Sequence, residues 1–197
     1  MKYENLMQIF LHPQALCLTA IVCLTWSLFQ TPQLSVIQSP KQAEIPVETI
    51  EQSPRLISEK LVAFIQSKYR VPEKTLERIV AAVESNAKNK GLDPVLVLAV
   101  IAQESSFRPK VVSHKDHGLM QVNTKWQRHR IEKKKAHDKL THIETNIDLG
   151  TDILAEHCQR IKGCAPKKVL RRYNGIKDNP YPEMVMARYD RFKELNG

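Results

Sequence analysis

One acidic side chain, Glu104, ends an otherwise apolar stretch of the sequence. The residues from Val95 to Ala102 are apolar at every position, which is typical of a helix buried inside a core. A carboxyl group held against apolar walls has its charged form disfavoured, so its pKa rises and it can keep a proton near neutral pH. Such a group can serve as a general acid. The alternative is an ordinary helix-end carboxylate that reaches solvent or pairs with Arg108.

The residues around this stretch indicate how Glu104 is positioned. Asp93 is a favourable N-cap and Pro94 suits a first helical turn, so we predict a helix that starts there. Pro109 is expected to end the helix, because proline lacks an N–H donor and restricts the residue before it. The loop that follows supplies small and polar groups suited to the wall of a cleft. These groups are Ser113, Gly118, Gln121 and Asn123.

Helical periodicity continues through residues 56–197, so we predict an all-α domain over that range. Asn146 is expected to cap or precede a helix. Glu183 is expected to begin the last helix, after a turn prolonged by Pro180 and Pro182. No pair of segments shows the alternation that would predict neighbouring strands.

The N-terminal part of the chain has a different character. Ala15 to Phe29 is an uncharged run of the kind found in signal peptides, and no small-x-small cleavage site follows it. We therefore favour an uncleaved membrane anchor over a cleaved signal peptide for residues 1–30. Residues 31–55 are rich in Pro, Gln and Ser, which predicts a disordered linker. This arrangement predicts a membrane-anchored or secreted protein whose domain lies in the periplasm or cell envelope.

The charge of the chain indicates an anionic neighbour. The formal net charge of the 197 residues is +9 at pH 7, and much of the excess lies between Lys125 and Lys139. An acidic membrane face, an acidic cell-wall polymer or a nucleic acid would suit it. No nucleic-acid-binding motif accompanies the charge, so a nucleic acid is not predicted as a partner. The alternative is that the basic segment is a solvated surface.

Two of the four cysteines are close together in the globular region. Cys158 and Cys164 could close a small disulfide loop in an oxidising compartment or remain free thiols in a reducing one. Their spacing does not match a CxxC redox motif, and no second pair completes a zinc site. No metal site is predicted.

Five short motifs, in order along the chain, resemble those of one enzyme family. The motifs are Glu104-Ser105, Phe107-Arg108-Pro109 followed by Ser113, Gly118-Leu119-Met120-Gln121-Val122, Asn146-Ile147 followed by Gly150, and Tyr173-Asn174-Gly175. Together they resemble the lytic transglycosylases with a lysozyme-like SLT domain, over roughly residues 73–195. The resemblance implies an α-rich lysozyme-like fold that acts on peptidoglycan glycan strands without a cofactor.

The resemblance also implies a mechanism and a set of site residues. Glu104 would protonate the oxygen between N-acetylmuramic acid and N-acetylglucosamine, and would then accept a proton from the muramoyl C6 hydroxyl to give a 1,6-anhydro product. Ser113, Gln121 and Tyr173 match positions that line the family's cleft. Met120 and Asn174 are further candidate wall residues, or serve packing and turn formation. Local cell-wall remodelling is the expected role.

One departure from the family pattern leaves the reaction open. Lys115-Asp116-His117 stands where the family often has Gly-Ala-x. Asp116 could act as a second carboxylate that activates water, which would make the protein a lysozyme-like muramidase, or it could simply pair with Lys115 or solvent. Asn123 favours the lyase, because an amide cannot serve as a base for water. A third alternative is a non-catalytic peptidoglycan-binding module of a secretion or conjugation apparatus.

Overall fold

The computed structural model describes residues 55–197, which form a helix-rich domain. The helices are α1 Glu59–Tyr69, α2 Glu73–Lys90, α3 Pro94–Ser105, α4 Arg128–Lys133, α5 Ile143–Gln159, α6 Pro166–Asn174 and α7 Tyr181–Asn196. The predicted membrane-targeting segment 1–30 and nearly all of the predicted linker 31–55 lie outside the described residues. Within residues 55–197, no helix is both long and apolar enough to cross a membrane.

Helix α3 forms the centre of the core, as its apolar sequence predicts. Every residue from Val95 to Ala102 is buried, and α2 and α7 pack against the helix. The predicted N-cap is confirmed, because Asp93 Oδ1 accepts a hydrogen bond of 2.8 Å from the Val95 N–H. Burial on all sides fixes the position of α3 and therefore of the carboxyl group near its end.

The end of α3 differs from the prediction. The helix stops at Ser105, four residues before Pro109, and the chain turns away through two left-handed residues, Ser106 (φ 51°) and Phe107 (φ 60°). Phe107 is buried, and its ring centroid lies 4.9 Å from that of Tyr69. The helix therefore ends where the Phe107 ring turns into the core, earlier than the position predicted from Pro109.

The structure contains a small sheet that the sequence does not predict. Strands β1 Val112–Ser113, β2 Asp116–His117 and β3 Val122–Asn123 are antiparallel in the order β1-β2-β3. Ser113 pairs with Asp116, and Asp116 pairs with Asn123. Two-residue strands are too short to show an alternating hydrophobic pattern, which is why periodicity does not reveal them. The sheet places the candidate loop residues side by side.

Two other helix starts also differ from their predictions. Helix α5 begins at Ile143 with His142 as its N-cap, so Asn146 lies inside the first turn and is fully buried. Helix α7 begins at Tyr181, directly after Pro180, rather than at Glu183. Proline is compatible with a first helical turn, where its missing N–H has no intrahelical partner. The earlier start brings Tyr181 into the helix that packs on α3.

Part of the basic segment between Lys125 and Lys139 is paired within the domain. Lys134 Nζ lies 2.7 Å from an Asp152 carboxylate oxygen and also contacts Asp148. Arg130 contacts Glu156. All three acids belong to α5, so this helix neutralises part of the segment that the sequence suggested as an anion-binding patch.

Cys158 and Cys164 form a disulfide bond between the end of α5 and the start of α6, with a Cα–Cα distance of 4.5 Å. The bond closes the short loop between the two helices. Of the two states that the sequence left open, the structure therefore contains the oxidised one, which is typical of proteins in oxidising compartments.

Candidate active site

Glu104 lies in the last turn of α3 and is held by a tyrosine from α7. The Tyr181 hydroxyl donates a hydrogen bond of 2.5 Å to Glu104 Oε1. Arg108 does not pair with Glu104, because its Nε donates instead to the Ser105 carbonyl oxygen at 3.0 Å. Within residues 55–197, Glu104 forms no ion pair with a basic side chain. The carboxyl group is only partly exposed to solvent.

The pKa of Glu104 is raised to about 7. Burial is the largest cause, because removal from water disfavours the carboxylate. The hydrogen bond from Tyr181 stabilises the charged form and so lowers the Glu104 pKa. The negative charge of Asp116 disfavours the charged form and so raises that pKa further. A carboxyl group with this pKa is present in both protonation states near neutral pH, so it can give and accept a proton.

Helix α7 holds both ends of α3. Tyr181 contacts Glu104 near the end of α3, and Tyr189 donates a 2.7 Å hydrogen bond to Oδ2 of Asp93 at its beginning. The two tyrosines lie on the same helix, eight residues apart. These contacts fix α3 relative to α7 by hydrogen bonds as well as by packing, which orients the Glu104 side chain.

Tyr173 joins α6 to the loop that carries Met120. Its hydroxyl donates a 2.7 Å hydrogen bond to the Met120 carbonyl oxygen. Burial raises the pKa of Tyr173 well above its usual value, and the negative charges of Glu104 and Asp116 contribute to the rise. The Tyr173 phenol is therefore neutral and close to both carboxyl groups.

Asn146 holds the loop that carries Met120 and Gln121. Its Oδ1 accepts a 2.7 Å hydrogen bond from the Met120 N–H. Its Nδ2 donates to the carbonyl oxygens of His117 at 2.7 Å and Leu140 at 2.6 Å. Because this side chain is fully buried, the three bonds satisfy backbone groups that would otherwise be left without partners. The sequence had suggested that Asn146 caps or precedes a helix and belongs to one of the five motifs, without a role in holding this loop.

Met120 is fully buried and packs closely on Gly150 of α5. A Cβ atom added at Gly150 would lie 2.4 Å from Met120 Sδ and 2.7 Å from Met120 Cβ. The Met120 side chain therefore packs in the core, and packing was one of the roles considered for it. Only its backbone atoms reach the site, through the bonds to Asn146 and Tyr173.

Gln121 follows Met120 with a left-handed backbone (φ 45°). Its Nε2 donates to the carbonyl oxygens of Gly118 at 2.8 Å and Val111 at 3.3 Å. Gly118 is required in this turn for two reasons, since its φ is 75° and a Cβ there would lie 2.4 Å from Asn146 Nδ2. The Gln121 amide thus cross-links the loop while remaining partly exposed.

Asp116 and Ser113 lie on adjacent strands of the small sheet. Asp116 Oδ1 accepts a 2.7 Å hydrogen bond from Asn123 Nδ2, so its partner is Asn123 and not Lys115. Asn123 Oδ1 in turn accepts from the Lys125 and Trp126 N–H groups, which fixes the orientation of the amide. Ser113 is exposed on β1. The structure therefore places both residues beside the loop of Gln121.

Asn174 helps to position Tyr181. Asn174 Oδ1 accepts a hydrogen bond from Asn179 Nδ2, and Asn179 Oδ1 accepts a 3.0 Å bond from the Tyr181 N–H. Asn174 is the last residue of α6 and is thus connected to the start of α7. Sequence reasoning missed Asn179 and Tyr181. A tyrosine between Pro180 and Pro182 was the available signal, because prolines favour a helix start there.

No group of three or more His, Cys, Asp or Glu side chains is arranged to hold a metal ion within residues 55–197. The chemistry available in the site is that of one proton-exchanging carboxyl group, a neighbouring carboxylate, two phenols and amide groups. Such a set can transfer protons to and from an uncharged substrate that carries hydroxyl and ether oxygens.

Comparison with known protein families gave a match to the transglycosylase SLT domain over residues 81–180. Comparisons with curated proteins and with solved structures gave no significant match. The matched range covers about half of the chain and includes Glu104, Asn146 and Tyr173, and it ends one residue before Tyr181. The helix-rich architecture is consistent with the lysozyme-like fold of this family. The chain belongs to the transglycosylase SLT domain family, a lytic-transglycosylase-type family that degrades peptidoglycan.

Proposed function

We propose that this protein is a lytic transglycosylase that cleaves the β-1,4 bond between N-acetylmuramic acid and N-acetylglucosamine in peptidoglycan. One observation carries the proposal. Glu104 is a single carboxyl group with a pKa of about 7 that has a tyrosine donor and no basic partner among the described residues. It can therefore act first as an acid and then as a base.

The reaction proceeds in two proton transfers through Glu104. The protonated carboxyl group gives its proton to the glycosidic oxygen, and the bond from that oxygen to the muramoyl C1 breaks. The resulting carboxylate then accepts the proton of the muramoyl C6 hydroxyl while O6 forms a bond to C1. No water is consumed, and Glu104 regains its proton at the end.

Tyr181 supports both halves of this cycle. Its hydroxyl is a hydrogen-bond donor. Burial is the largest cause that raises the pKa of Tyr181 far above its usual value, and the negative charge of Glu104 is the next. Tyr181 therefore stays protonated and stabilises the carboxylate form without taking part in the proton transfer. Ser113, Gln121 and Tyr173 are proposed to contact the glycan. The charge of Glu104 acts on Tyr173, and Ser113 and Gln121 belong to the same loop as Asp116, whose charge acts on Glu104.

A muramidase is the second candidate function, because the negative charge of Asp116 acts on Glu104. A hydrolase would need this carboxylate to activate water. The hydrogen bond from Asn123 occupies Asp116 Oδ1, and bonds to two N–H groups hold Asn123 in turn. This arrangement supports a structural role for Asp116 in the small sheet.

Incubation of the protein with isolated peptidoglycan, followed by mass spectrometry of the fragments, tests the proposal. We expect 1,6-anhydro-muropeptides from the wild type and no products from Glu104→Gln. Glu77→Gln is the matched control, because Glu77 is an exposed glutamate on α2. Products heavier by one water would indicate a muramidase, and an absence of products from the wild type would indicate a binding module.

We also propose that the protein works in the cell envelope on local wall remodelling. The Cys158–Cys164 disulfide supports an oxidising location outside the cytoplasm. Anchoring through residues 1–30 and association with a secretion or conjugation complex are part of this proposal. Fractionation of cells that produce the full chain, with carbonate extraction of the membranes, tests the anchor. Recovery of a shortened chain in the soluble fraction would indicate a cleaved signal peptide instead.

A further inference from the structure

A cavity of about 390 Å³ lies between α4 and α5, and none of the candidate site residues lines it. Trp126 and His129 belong to one wall, and Ile153 and His157 of α5 belong to the other. Small-molecule sites in proteins have volumes of roughly 300–1,000 Å³, so this cavity is large enough for a small ligand. The reaction proposed for Glu104 gives it no role.

Trp126 gives the cavity an exposed aromatic ring. The residue is 74% exposed, whereas tryptophan is mostly buried in folded proteins and is enriched at binding surfaces. Lys125 Nζ lies 4.8 Å from the ring centroid, but Lys125 does not line the cavity. The Trp126 N–H donates a 3.1 Å hydrogen bond to Asn123 Oδ1. The backbone below the ring is therefore held in place while the ring itself is available to a ligand.

The polar groups of the cavity suit a neutral ligand better than an anion. Its charged residues are two cations and one acid, namely Arg130, Lys133 and Glu156, and Arg130 contacts Glu156 directly. Burial is the largest cause that lowers the pKa of His157, so this imidazole is neutral at pH 7. Gln127 adds an amide group. Hydrogen-bond donors and acceptors are both present, with little net charge.

The α5 side of the cavity combines an apolar residue with a polar atom that has no partner. Ile153 is buried. His157 Nδ1 is also buried and has no hydrogen-bond partner within residues 55–197, although buried polar atoms are nearly always paired. The ligand that matches these features is a ring with an apolar face and with polar groups at its edge.

We propose that this cavity is a second glycan-binding site, in which Trp126 packs against an N-acetylhexosamine ring of the cell wall. The CH groups on one face of such a ring contact the indole, and its hydroxyl and acetamido groups bond to the polar groups of the cavity. An anionic lipid surface fits less well, because Glu156 lies in the wall and the net charge is small. The proposal rests on the peptidoglycan substrate of the family and not on the chemistry proposed for Glu104.

A second site affects binding to a polymer more than binding to a short fragment. A glycan strand repeats the same rings, so the wall can occupy both sites at once, whereas a short fragment fills only one of them at a time. Simultaneous binding at two sites can raise the overall affinity by about 10²–10⁴-fold. Loss of the second site should therefore be most evident with intact wall.

Sedimentation of the full chain with insoluble peptidoglycan tests this expectation. All proteins carry Glu104→Gln to prevent cleavage, and high salt screens binding by exposed charges. Trp126→Ala should weaken binding at least roughly tenfold, whereas Trp126→Phe should retain most of it because an aromatic ring remains. Leu56→Ala is the matched control, since it also shortens an exposed apolar side chain but lies outside the cavity. Equal binding by Trp126→Ala and the parent protein, with unchanged thermal unfolding, would overturn the proposal.

Tryptophan fluorescence provides a direct measurement on the same background. The chain has two tryptophans, so Trp26→Phe leaves Trp126 as the single reporter. A β-1,4-linked tetramer of N-acetylglucosamine should change its emission in a saturable way, whereas phosphatidylglycerol vesicles should not. A response to the vesicles and none to the sugar would indicate a lipid-binding surface and would contradict the glycan assignment. Neither experiment requires cleavage, so an absence of anhydro products from the wild type would count against the proposed function alone.

Discussion

The Tyr181 hydroxyl donates to Glu104 Oε1 at 2.5 Å, across 77 positions of the chain. The contact exists because α7 packs along α3 and begins at Tyr181, directly after Pro180. It joins the proposed catalytic carboxyl group to a residue just outside the matched family range.

Removal of the Tyr181 hydroxyl should change both the rate and its pH dependence. The hydrogen bond lowers the pKa of Glu104, so Tyr181→Phe should raise that pKa above about 7 and move the alkaline limit of activity to higher pH. The maximal rate should fall roughly tenfold, because the carboxyl group is less well oriented. Tyr189→Phe is the control, since it removes a bond from the same helix to Asp93. It should lower stability by about 1 kcal/mol and leave the pH profile unchanged.

Glu104 should destabilise the folded protein at neutral pH. Its pKa is about 7 in the folded state against 4.5 ordinarily, so the unfolded chain ionises first and stability falls as pH rises from 4.5 to 7. Glu104→Gln lacks this titration and should be more stable than the wild type by up to about 3 kcal/mol above pH 7. Urea unfolding at pH 4 and pH 8 measures the difference. A constant difference at both values would contradict the raised pKa.

Asp116→Asn separates the two candidate reactions. If Glu104 works alone, the variant should keep its anhydro products and most of its rate, with a slightly lower Glu104 pKa because a negative charge is lost. A base for water contributes about 10²–10⁴ in rate, so a muramidase would lose nearly all activity. Rates and product masses on the same peptidoglycan sample distinguish these outcomes. Asp138→Asn, at an exposed aspartate outside the sheet, controls for the change of charge.

Gly150→Ala should destabilise the protein although it replaces glycine inside a helix. Helix propensity alone favours alanine by about 1 kcal/mol. The added Cβ would lie 2.4 Å from Met120 Sδ and 2.7 Å from Met120 Cβ, and such overpacking costs about 1–3 kcal/mol. Thermal unfolding measures the sign. A companion Met120→Ala change should recover only part of the loss, since it removes Met120 Sδ but keeps the Cβ atom that lies 2.7 Å away.

Binding to the wall should depend on α6 more than on the basic segment between Lys125 and Lys139. Three acids of α5 pair with that segment, whereas Lys168 and Arg172 are exposed on α6 and form no ion pair within residues 55–197. Lys168→Glu with Arg172→Glu should weaken low-salt binding to peptidoglycan roughly tenfold, because exposed charges contribute up to ~1 kcal/mol each. Sedimentation at several salt concentrations measures it. The Lys133→Glu and Lys135→Glu pair should have a smaller effect, although both lysines are also exposed, because the α5 acids that contact Lys134 between them weaken the positive field there. The reverse order would contradict this ranking.

Local sequence patterns are sufficient to predict the helix-rich class, the burial of α3 and the position of Glu104 at the end of that helix. These follow from local information, because an uninterrupted apolar run after Asp93-Pro94 can only be stable inside a core. The ordered motifs also identified Tyr173 and Gln121 as candidates and the family to which the chain belongs.

The groups that surround Glu104 are selected by tertiary packing. The strands of the small sheet have two residues each, which is too short to show a hydrophobic period. Asn146 does not cap a helix but bonds to three backbone groups. Tyr181 contacts Glu104 although the two residues are far apart in the sequence. The Asn146–Met120 and Tyr181–Glu104 bonds join residues 26 and 77 positions apart. Local propensity carries no information about such partners, because they are selected by the packing of α5 and α7 against the rest of the domain.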